Sequence, residues 1–342
     1  MRSFASDNNS GVHPLVMDAV VKANTGHTVG YGDDFYTRQA VDKLKEVFGN
    51  DAEAFFVFNG TGANTVALQA VTRSFHSILC TQTAHIYVDE CGSPARMSGC
   101  AVIPIPATDG KLTPELIRPH LHNFGVCHHS QPKVVYISQV SELGTVYTPD
   151  EIKAIASLLH RHNMYLHMDG ARLANACACL NCSMKELTAD AGVDILSFGG
   201  TKNGMMMGEA VISFCCAEIT EHLPYFRKQS AQLASKMRYL SAQFIPYLEN
   251  ELWLENARHA NRMAARLAGI LRRYPQINFT QKPETNQLFF TMPAEAARKL
   301  SEKYFFYYWN ESAGEVRLVT SWDTTDEDID GMEETLNGIL LP

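Results

Sequence analysis

The chain has 342 residues, a mass of 38.0 kDa and a net charge of -8, from 29 basic and 37 acidic side chains. It carries no basic stripe and no apolar run near the ~18 residues that a membrane span needs, so we expect no nucleic-acid partner and no membrane partner. Nine cysteines, an odd number in a chain long enough to bury a large core, predict reduced thiols and a cytoplasmic location rather than a secreted disulfide framework.

Short apolar strands alternate with helical patterns along the first two thirds of the chain. The run 54–58 predicts a strand that ends in the turn Asn59-Gly60-Thr61-Gly62, and 63–73 predicts the helix after it. A second helix is predicted from Thr148 to about His162, and further strands over 134–138, 164–168, 195–198 and 210–214. This rhythm is typical of an α/β protein with a mainly parallel sheet covered by helices on both faces.

The last third of the chain has a different texture. Long helical stretches begin near Leu240, the clearest over 252–273, and strands are predicted over 288–292, 305–309 and 316–320. We therefore predict that a small α/β domain, built mainly from the C-terminal third, follows the large one.

Three features at the ends of predicted strands carry the chemistry. The turn at Gly60 and Thr61 offers backbone N–H groups and a hydroxyl at a helix N-terminus, which suits a phosphate and equally a plain strand-to-helix turn. Asp169 ends an apolar strand, where it either caps the next helix or pairs with a protonated ring nitrogen. Lys202 follows another strand among glycines, either as an exposed loop lysine or as an amine that forms a Schiff base with an aldehyde.

Taken together, these three features predict pyridoxal 5′-phosphate as the cofactor. This cofactor requires a grip on its phosphate, a partner for its ring nitrogen and an amine for its aldehyde. Asp169 and Lys202 both follow the carboxyl ends of strands, where open α/β sheets bind ligands. A nucleotide-binding enzyme is the alternative cofactor class, and the sequence disfavours it because the glycine fingerprint of dinucleotide sites is absent.

The sequence resembles the low-specificity L-threonine aldolases of the β-eliminating lyase group over nearly its whole length. The resemblance implies an aspartate aminotransferase-like fold of type I with a seven-stranded sheet in a large domain, 26–240. It also implies a small C-terminal domain, 241–342, and an N-terminal segment, 1–25, that contributes to the site. The motifs that carry it include Ala5-Ser6-Asp7-Asn8, Phe58-Asn59-Gly60-Thr61, Asp89-Glu90-Cys91-Gly92, His167-Met168-Asp169-Gly170-Ala171-Arg172 and Phe198-Gly199-Gly200-Thr201-Lys202-Asn203-Gly204.

The resemblance implies which residues hold the cofactor. Lys202 is similar to the lysine that forms the aldimine, and Asp169 to the partner of the ring nitrogen. Arg172 is similar to a donor to the phenolic oxygen, and Gly60-Thr61 to the phosphate ligands. His85 is similar to the histidine that stacks on the ring, with a half-buried structural histidine as the alternative.

The substrate residues implied by the resemblance come from distant parts of the chain. Ser6 and Arg317 match the positions that bind the substrate carboxylate beside Arg172, with an exposed strand arginine as the alternative for Arg317. Arg238 and Lys228 match basic residues that reach the cofactor phosphate or the substrate from the neighbouring subunit. The resemblance therefore implies a homodimer or homotetramer that acts on a small amino acid.

One loop departs from many members of the family. They carry a second active-site histidine there, whereas this chain reads Gln139-Val140-Ser141-Glu142-Leu143-Gly144-Thr145, with Glu142 at the histidine's position. The general base therefore stays open between His85, Glu142 and a bound water.

The expected reaction is retro-aldol cleavage of L-threonine or L-allo-threonine. The Cα–Cβ bond of the external aldimine breaks and the products are glycine and acetaldehyde. A phenylserine aldolase or a β-eliminating amino-acid lyase would use the same cofactor residues, and a non-catalytic homologue would bind the cofactor alone.

No metal is expected. The cysteines at Cys177, Cys179 and Cys182 fall on the predicted helix behind Asp169, where small apolar packing is commoner than metal binding.

Overall fold

The computed structural model describes residues 2–215 and 217–341, and its larger sheet has seven strands in the order β3-β2-β4-β5-β6-β7-β1. Neighbouring strands are parallel from β3 through β6, and β7 runs against both of its neighbours, β6 and β1. The prediction of a mainly parallel seven-stranded sheet is confirmed. The strands are β1 (Glu53–Val57), β2 (His76–Thr81), β3 (Ala101–Ile105), β4 (Gln131–Ser138), β5 (Tyr165–Gly170), β6 (Ile195–Gly199) and β7 (Glu209–Ser213).

Helices cover both faces of this sheet. None of the described helices is long and apolar enough to cross a membrane. The helices are α1 (Pro14–Ala23), α2 (Phe35–Phe48), α3 (Gly60–Val71), α4 (His85–Val88), α5 (Ser93–Ser98), α6 (Pro114–Ile117), α7 (Pro149–His160), α8 (Leu173–Leu180), α9 (Ala217–Thr220), α10 (Leu223–Gln229), α11 (Arg238–Ser241), α12 (Phe244–Leu248), α13 (Leu252–Leu271), α14 (Ala294–Ser301) and α15 (Asp326–Leu340).

Side-chain caps decide where two of the predicted helices begin. α3 starts three residues earlier than predicted because the Asn59 side chain accepts the Gly62 N–H at 2.8 Å. α7 starts behind Thr148, whose hydroxyl accepts the Glu151 N–H at 3.3 Å while the Glu151 carboxylate accepts the Thr148 N–H at 2.7 Å. This reciprocal capping box and Pro149 fix the helix start.

A second, antiparallel sheet lies in the C-terminal third, in the order β10-β11-β9-β8. The N-terminal segment is tied to it, because the Phe4 N–H donates to the Phe305 oxygen and the Phe4 oxygen accepts from the Val319 N–H, both at 2.8 Å. This attachment carries the residues after Phe4 to the edge of the larger sheet. The strands are β8 (Asn278–Phe279), β9 (Gln287–Thr291), β10 (Tyr307–Asn310) and β11 (Glu315–Val319).

The apolar cores follow the two sheets. One large cluster packs on the seven-stranded sheet and extends into α13 as far as Ala257. Another contains Phe4 and residues from Met263 to Leu336. The core of the larger sheet thus continues beyond residue 240, and the domain limits 26–240 and 241–342 stay a prediction.

Candidate active site

Two adjoining cavities lie at the carboxyl ends of β4, β5 and β6, and the side chains of His85 and Lys202 line both. One, of about 320 Å³, is lined among others by Gly60, Thr61, Asp169, Ala171, Thr201 and Glu209. The other, of about 460 Å³, is lined among others by Ser6, Glu142, Arg172, Tyr307, Trp309 and Arg317.

Asp169 occupies the end of β5 and is surrounded by donors. Its Oδ2 accepts hydrogen bonds from Tyr136 Oη at 2.7 Å and Asn64 Nδ2 at 2.9 Å, and its Oδ1 accepts the Ala171 N–H at 2.9 Å. Burial raises the pKa of this carboxyl, but His85, Lys202 and the hydrogen bonds from Asn64 and Tyr136 together lower it, so the pKa lies below its usual value. The buried carboxylate therefore stays ionised and suits a protonated ring nitrogen.

Lys202 lies in a single 3-10 turn, Thr201–Asn203, directly after β6. Within residues 2–215 and 217–341 its amine has no hydrogen-bond or ion-pair partner. Burial, and then the nearby Arg172 guanidinium, lower the pKa of Lys202. The shift favours the neutral amine, which is the form that attacks an aldehyde.

The first turn of α3 faces the same cavity as Lys202. Asn59 satisfies the Gly62 N–H, and its backbone oxygen accepts the Ala63 N–H at 3.0 Å. The N–H groups of Gly60 and Thr61 have no partner among the described residues. Free donors at the positive end of a twelve-residue helix suit a phosphate.

His85 begins α4 and is held by a buried acid. Its Nδ1 lies 2.7 Å from Glu90 Oε1, which also accepts from Asn64 Nδ2 at 2.7 Å. The hydrogen bond to Glu90 raises the pKa of His85 and outweighs the effect of burial. His85, Glu90 and Asp169 offer atoms within 4.8 Å of one another, a spacing that could also hold a metal ion. In this structure the Asn64 amide links the Glu90 and Asp169 carboxylates by donating a hydrogen bond to each.

Glu142 lies beside His85 on the loop after β4. Its Oε1 accepts the His85 N–H at 2.8 Å and Ser138 Oγ at 2.5 Å. Both hydrogen bonds fall on one oxygen, so Oε2 has no partner among the described residues. Burial raises the pKa of Glu142, which makes its carboxylate a stronger base than an exposed one.

Arg172 is fixed by Asp7, which the sequence did not single out. The guanidinium donates from Nε and Nη2 to the two Asp7 oxygens, at 2.7 and 2.8 Å, and Asn286 donates to Asp7 at 3.0 Å. Burial raises the pKa of Asp7, but Arg172, Lys202 and Asn286 together lower it, so the pKa lies below its usual value. This pair places the N-terminal segment, with Ser6, against the cavity.

Arg317 on β11 is a cation without an acidic partner among the described residues. Its Nη2 donates to the Ala5 oxygen at 3.0 Å, and the guanidinium carbon lies 5.1 and 5.9 Å from the Trp309 and Tyr307 ring centres. Burial, and then Arg172, lower the pKa of Arg317 to about 10. Its Nε is buried and unpartnered, so the group is suited to receive a carboxylate.

Arg238 and Lys228 lie outside both cavities of this chain. Arg238 Nη1 donates to the Gly26 oxygen at 3.1 Å, and the Lys228 amine lies 5.3 Å from the centre of the Tyr31 ring. Their role in a neighbouring subunit's site stays a prediction.

The profile of the beta-eliminating lyase family matches residues 3–295 of the chain. The low specificity L-threonine aldolase of Pseudomonas aeruginosa is 43% identical over 341 residues, which covers 99% of this chain and 97% of the relative. The low specificity L-threonine aldolase of Escherichia coli is 29% identical over 336 residues, which covers 96% of each chain.

Solved structures agree with these sequence similarities. A threonine aldolase of Leishmania major has a TM-score of 0.94 and 30% identity, with 99% of this chain and 100% of that chain covered. An alanine–glyoxylate aminotransferase of Nostoc sp. has a TM-score of 0.72 and 16% identity, with 99% of this chain and 95% of that chain covered. At this identity the similarity shows a shared fold alone.

Proposed function

The chain belongs to the beta-eliminating lyase family and is a pyridoxal-phosphate-dependent lyase, and we propose that it cleaves L-threonine to glycine and acetaldehyde. Similarity to threonine aldolases along 99% of the chain supports this substrate. The observation that carries the proposal is the Arg317 guanidinium, which has no acidic partner among the described residues and lines the same cavity as the Lys202 amine. An α-amino acid presents one carboxylate and one amino group to such a site.

The described residues fit the cofactor. The ionised Asp169 would hold the ring nitrogen, the free N–H groups of Gly60 and Thr61 would hold the phosphate, and Lys202 would hold the aldehyde carbon. His85 would lie against the ring. When bound, pyridoxal phosphate supplies the electron sink for the bond that breaks at the substrate Cα.

Arg317 and Ser6 orient the substrate. We assign the substrate carboxylate to the Arg317 guanidinium, which is already held on one side by the Ala5 oxygen and on its faces by two aromatic rings. Arg172 adds positive charge on the same side, and Asp7 keeps Arg172 in place. The Asp7 carboxylate pairs with Arg172 and not with Arg317, so the Arg317 guanidinium is left to pair with the substrate carboxylate.

We assign the general base to Glu142 rather than His85. The hydrogen bond to Glu90 favours the protonated imidazole, and a protonated imidazole has no lone pair for another proton. Glu142 has a free Oε2 and a raised pKa, so its carboxylate takes the proton of the substrate β-hydroxyl as acetaldehyde leaves. His85 stabilises negative charge nearby.

A phenylserine substrate is supported by a separate observation. Tyr307, Tyr308 and Trp309 line the cavity that also contains Glu142 and Arg317. These rings offer apolar surface to an aromatic group on the substrate Cβ. Phenylserine would then be cleaved by the same residues to glycine and benzaldehyde.

We further propose a homodimer or homotetramer that completes this site. Val21, Val29, Tyr31 and Phe35 are apolar or aromatic, lie close together in the sequence, and are between 55% and 65% exposed. Large exposed apolar side chains grouped in one segment are typical of a protein–protein contact. The segment contacts Arg238 and Lys228, so a partner covering it would bring those cations near a second site.

We also place the enzyme in the cytoplasm. Cys80, Cys100 and Cys177 are free thiols that belong to the packed interior. A reducing compartment keeps such thiols in this form. Cell fractionation of the source organism, with antibody against the chain, tests this location.

A side-by-side assay of four amino acids tests the proposed reaction. The purified protein with added cofactor is given L-threonine, L-allo-threonine, L-phenylserine and L-cysteine, and glycine, aldehyde, sulfide and pyruvate are measured. We expect equal amounts of glycine and aldehyde from the hydroxy amino acids. Sulfide and pyruvate from cysteine, with no aldehyde from threonine, would instead identify a β-eliminating lyase.

A further inference from the structure

Glu209 occupies a position that the proposed mechanism does not use. It is the first residue of β7, which runs antiparallel between β1 and β6, and it pairs with Val57 on one side and Gly199 on the other. Those partners are the last residues of their strands. Glu209 therefore lies between the turn that leads into Gly60 and Thr61 and the turn that contains Lys202.

The carboxyl group lies over Gly199 and lines the cofactor cavity. A Cβ on Gly199 would be 2.5 Å from Glu209 Oε2, so the absence of a side chain at Gly199 leaves the space that the carboxyl fills. The residue is 8% exposed. The donors that act on this carboxyl are the Thr201 side chain and the Gly200 backbone, and both favour its ionised form.

No cation within the described residues forms an ion pair with Glu209. The charged or titratable groups that face it are Lys202 after β6, Asp169 on β5 and Tyr247 on α12. Asp169 repels a negative charge at Glu209, whereas Lys202 attracts one. Burial raises the pKa of Glu209 to about 8, and the two donors and Lys202 reduce that shift only in part.

A carboxylate at this position opposes the proposed function. The donors at Gly60 and Thr61 would hold the cofactor's phosphate, which is dianionic above its second pKa of about 6. Two anions in one buried cavity repel each other strongly, whereas a neutral carboxylic acid donates a hydrogen bond to a phosphate oxygen.

We propose that Glu209 receives the cofactor's phosphate as a neutral acid and that ionisation of Glu209 weakens cofactor binding. The inference rests on the proposed function, because that function places the phosphate at Gly60 and Thr61. Glu209 is in this view a binding residue that makes the affinity for the cofactor depend on pH.

The test measures binding of pyridoxine 5′-phosphate to the full-length protein after its own cofactor has been removed by dialysis. This compound has the ring and phosphate but no aldehyde, so it cannot react with Lys202. Equilibrium dialysis between about pH 7 and pH 9 keeps the phosphate dianionic throughout. We expect the wild-type Kd to rise about tenfold over this range, because the Glu209 carboxyl with a pKa of about 8 loses its proton.

Two variants separate Glu209 from other causes. Glu209→Gln keeps a hydrogen-bond donor and cannot ionise, so we expect tight binding with a change of less than about twofold across the range. Asp194→Asn neutralises a partly buried carboxyl that also has a raised pKa. Asp194 lies directly before β6, at the end of the strand away from the cofactor cavity, and accepts the Leu166 N–H at 2.7 Å. This variant should keep the wild-type pH dependence.

The outcomes are distinguishable. A wild-type Kd that does not change with pH overturns the inference, even if Glu209→Gln does not fold. A Kd of Glu209→Gln that rises with pH as steeply as the wild-type Kd also overturns it, and would assign the effect to Lys202. The same slope with pyridoxine, which lacks the phosphate, also overturns it. Absence of binding at about pH 7 in the wild type would contradict the proposed function instead.

Discussion

At the scale of single residues, each ionisable group of the site takes its charge from one or two neighbours. Burial and Arg172 favour the neutral Lys202 amine, whereas donors around Asp169 keep that carboxylate ionised. Glu90 favours the protonated His85. These three charge states are the ones that a bound aldehyde, ring nitrogen and developing negative charge require.

The assignment of Glu142 as base predicts a specific loss. Glu142→Gln removes the proton acceptor but keeps the shape, so kcat for L-threonine should fall at least about 10²-fold while the cofactor's visible absorbance is retained. Steady-state kinetics and an absorbance spectrum check this. Glu142→Asp should recover part of the activity, and a full-rate Glu142→Gln enzyme would return the role to His85 or water.

The pH dependence of the wild type has a definite sign. Burial raises the pKa of Glu142, and the base works only when ionised, so kcat should fall as the pH decreases through that raised pKa. In Glu142→Gln the residual rate should lack this acidic limb. A pH–rate profile of both proteins is the measurement, and an unchanged acidic limb in the variant would assign it to another group.

The role assigned to Arg317 predicts that its removal weakens substrate binding alone. Arg317→Leu leaves the substrate carboxylate unpaired, which costs about 2 kcal/mol or more, so KM for L-threonine should rise about thirtyfold or more. The cofactor spectrum should not change. Arg298→Leu, an exposed arginine on α14, is the control and should match wild type. An unchanged KM in Arg317→Leu would place the carboxylate elsewhere.

Sequence alone identified the residues at strand ends but not the partners that set their charge. Asp7 and Glu90 stand inside the motifs that carry the family resemblance, yet nothing in their local sequence marks them as buried. Asp7 meets Arg172 from 165 positions away, and Asn64 meets Asp169 from 105 positions away. Such contacts follow from the three-dimensional fold, which a single sequence without relatives does not specify.

At the scale of elements, helix starts are set by short-range chemistry. In α7 the Thr148 hydroxyl and the Glu151 carboxylate cap each other's backbone N–H groups. Thr148→Ala should cost about 1 kcal/mol and lower Tm by roughly 2 °C, without changing activity. Lys153→Ala, an exposed change on the same helix, is the control in calorimetry. An unchanged Tm in Thr148→Ala would show that the cap contributes nothing.

Strands were predicted where the apolar run was uninterrupted. The predictions for β1 and β4 to β7 agree with the structure to within about three residues, whereas β2 and β3 were missed. β3 contains Pro104 and lies at the edge of the sheet, where a missing N–H is tolerated and the proline hides the strand pattern. β2 follows α3 after a short turn and carries a histidine and a serine at its start.

At the scale of the whole molecule, the aspartate aminotransferase-like fold that the resemblance implied is confirmed. The fold puts residues 3 to 10 and β11 on one side of the cofactor cavity and the seven-stranded sheet on the other. Phe4, completely buried in the C-terminal core, holds the N-terminal segment in this place. The site therefore depends on two sheets whose sequences lie far apart.

The proposed oligomer is tested by a pair of matched variants. Phe35 and Phe75 are each 61% exposed, but only Phe35 lies in the apolar stretch proposed as the subunit contact. Phe35→Lys should lower the mass in sedimentation and weaken cofactor binding about tenfold, since a buried charge opposes association. Phe75→Lys should do neither. An unchanged mass in Phe35→Lys, or a monomeric wild type, would contradict the proposal.

Lys202 provides the most direct test of the account as a whole. Wild-type protein and Lys202→Ala, each with pyridoxal 5′-phosphate, are given L-threonine, and glycine and acetaldehyde are quantified together with the borohydride-sensitive visible absorbance. We predict equal amounts of both products from the wild type. Lys202→Ala should form neither product and lack that absorbance before substrate is added. Full acetaldehyde release by Lys202→Ala would contradict the account.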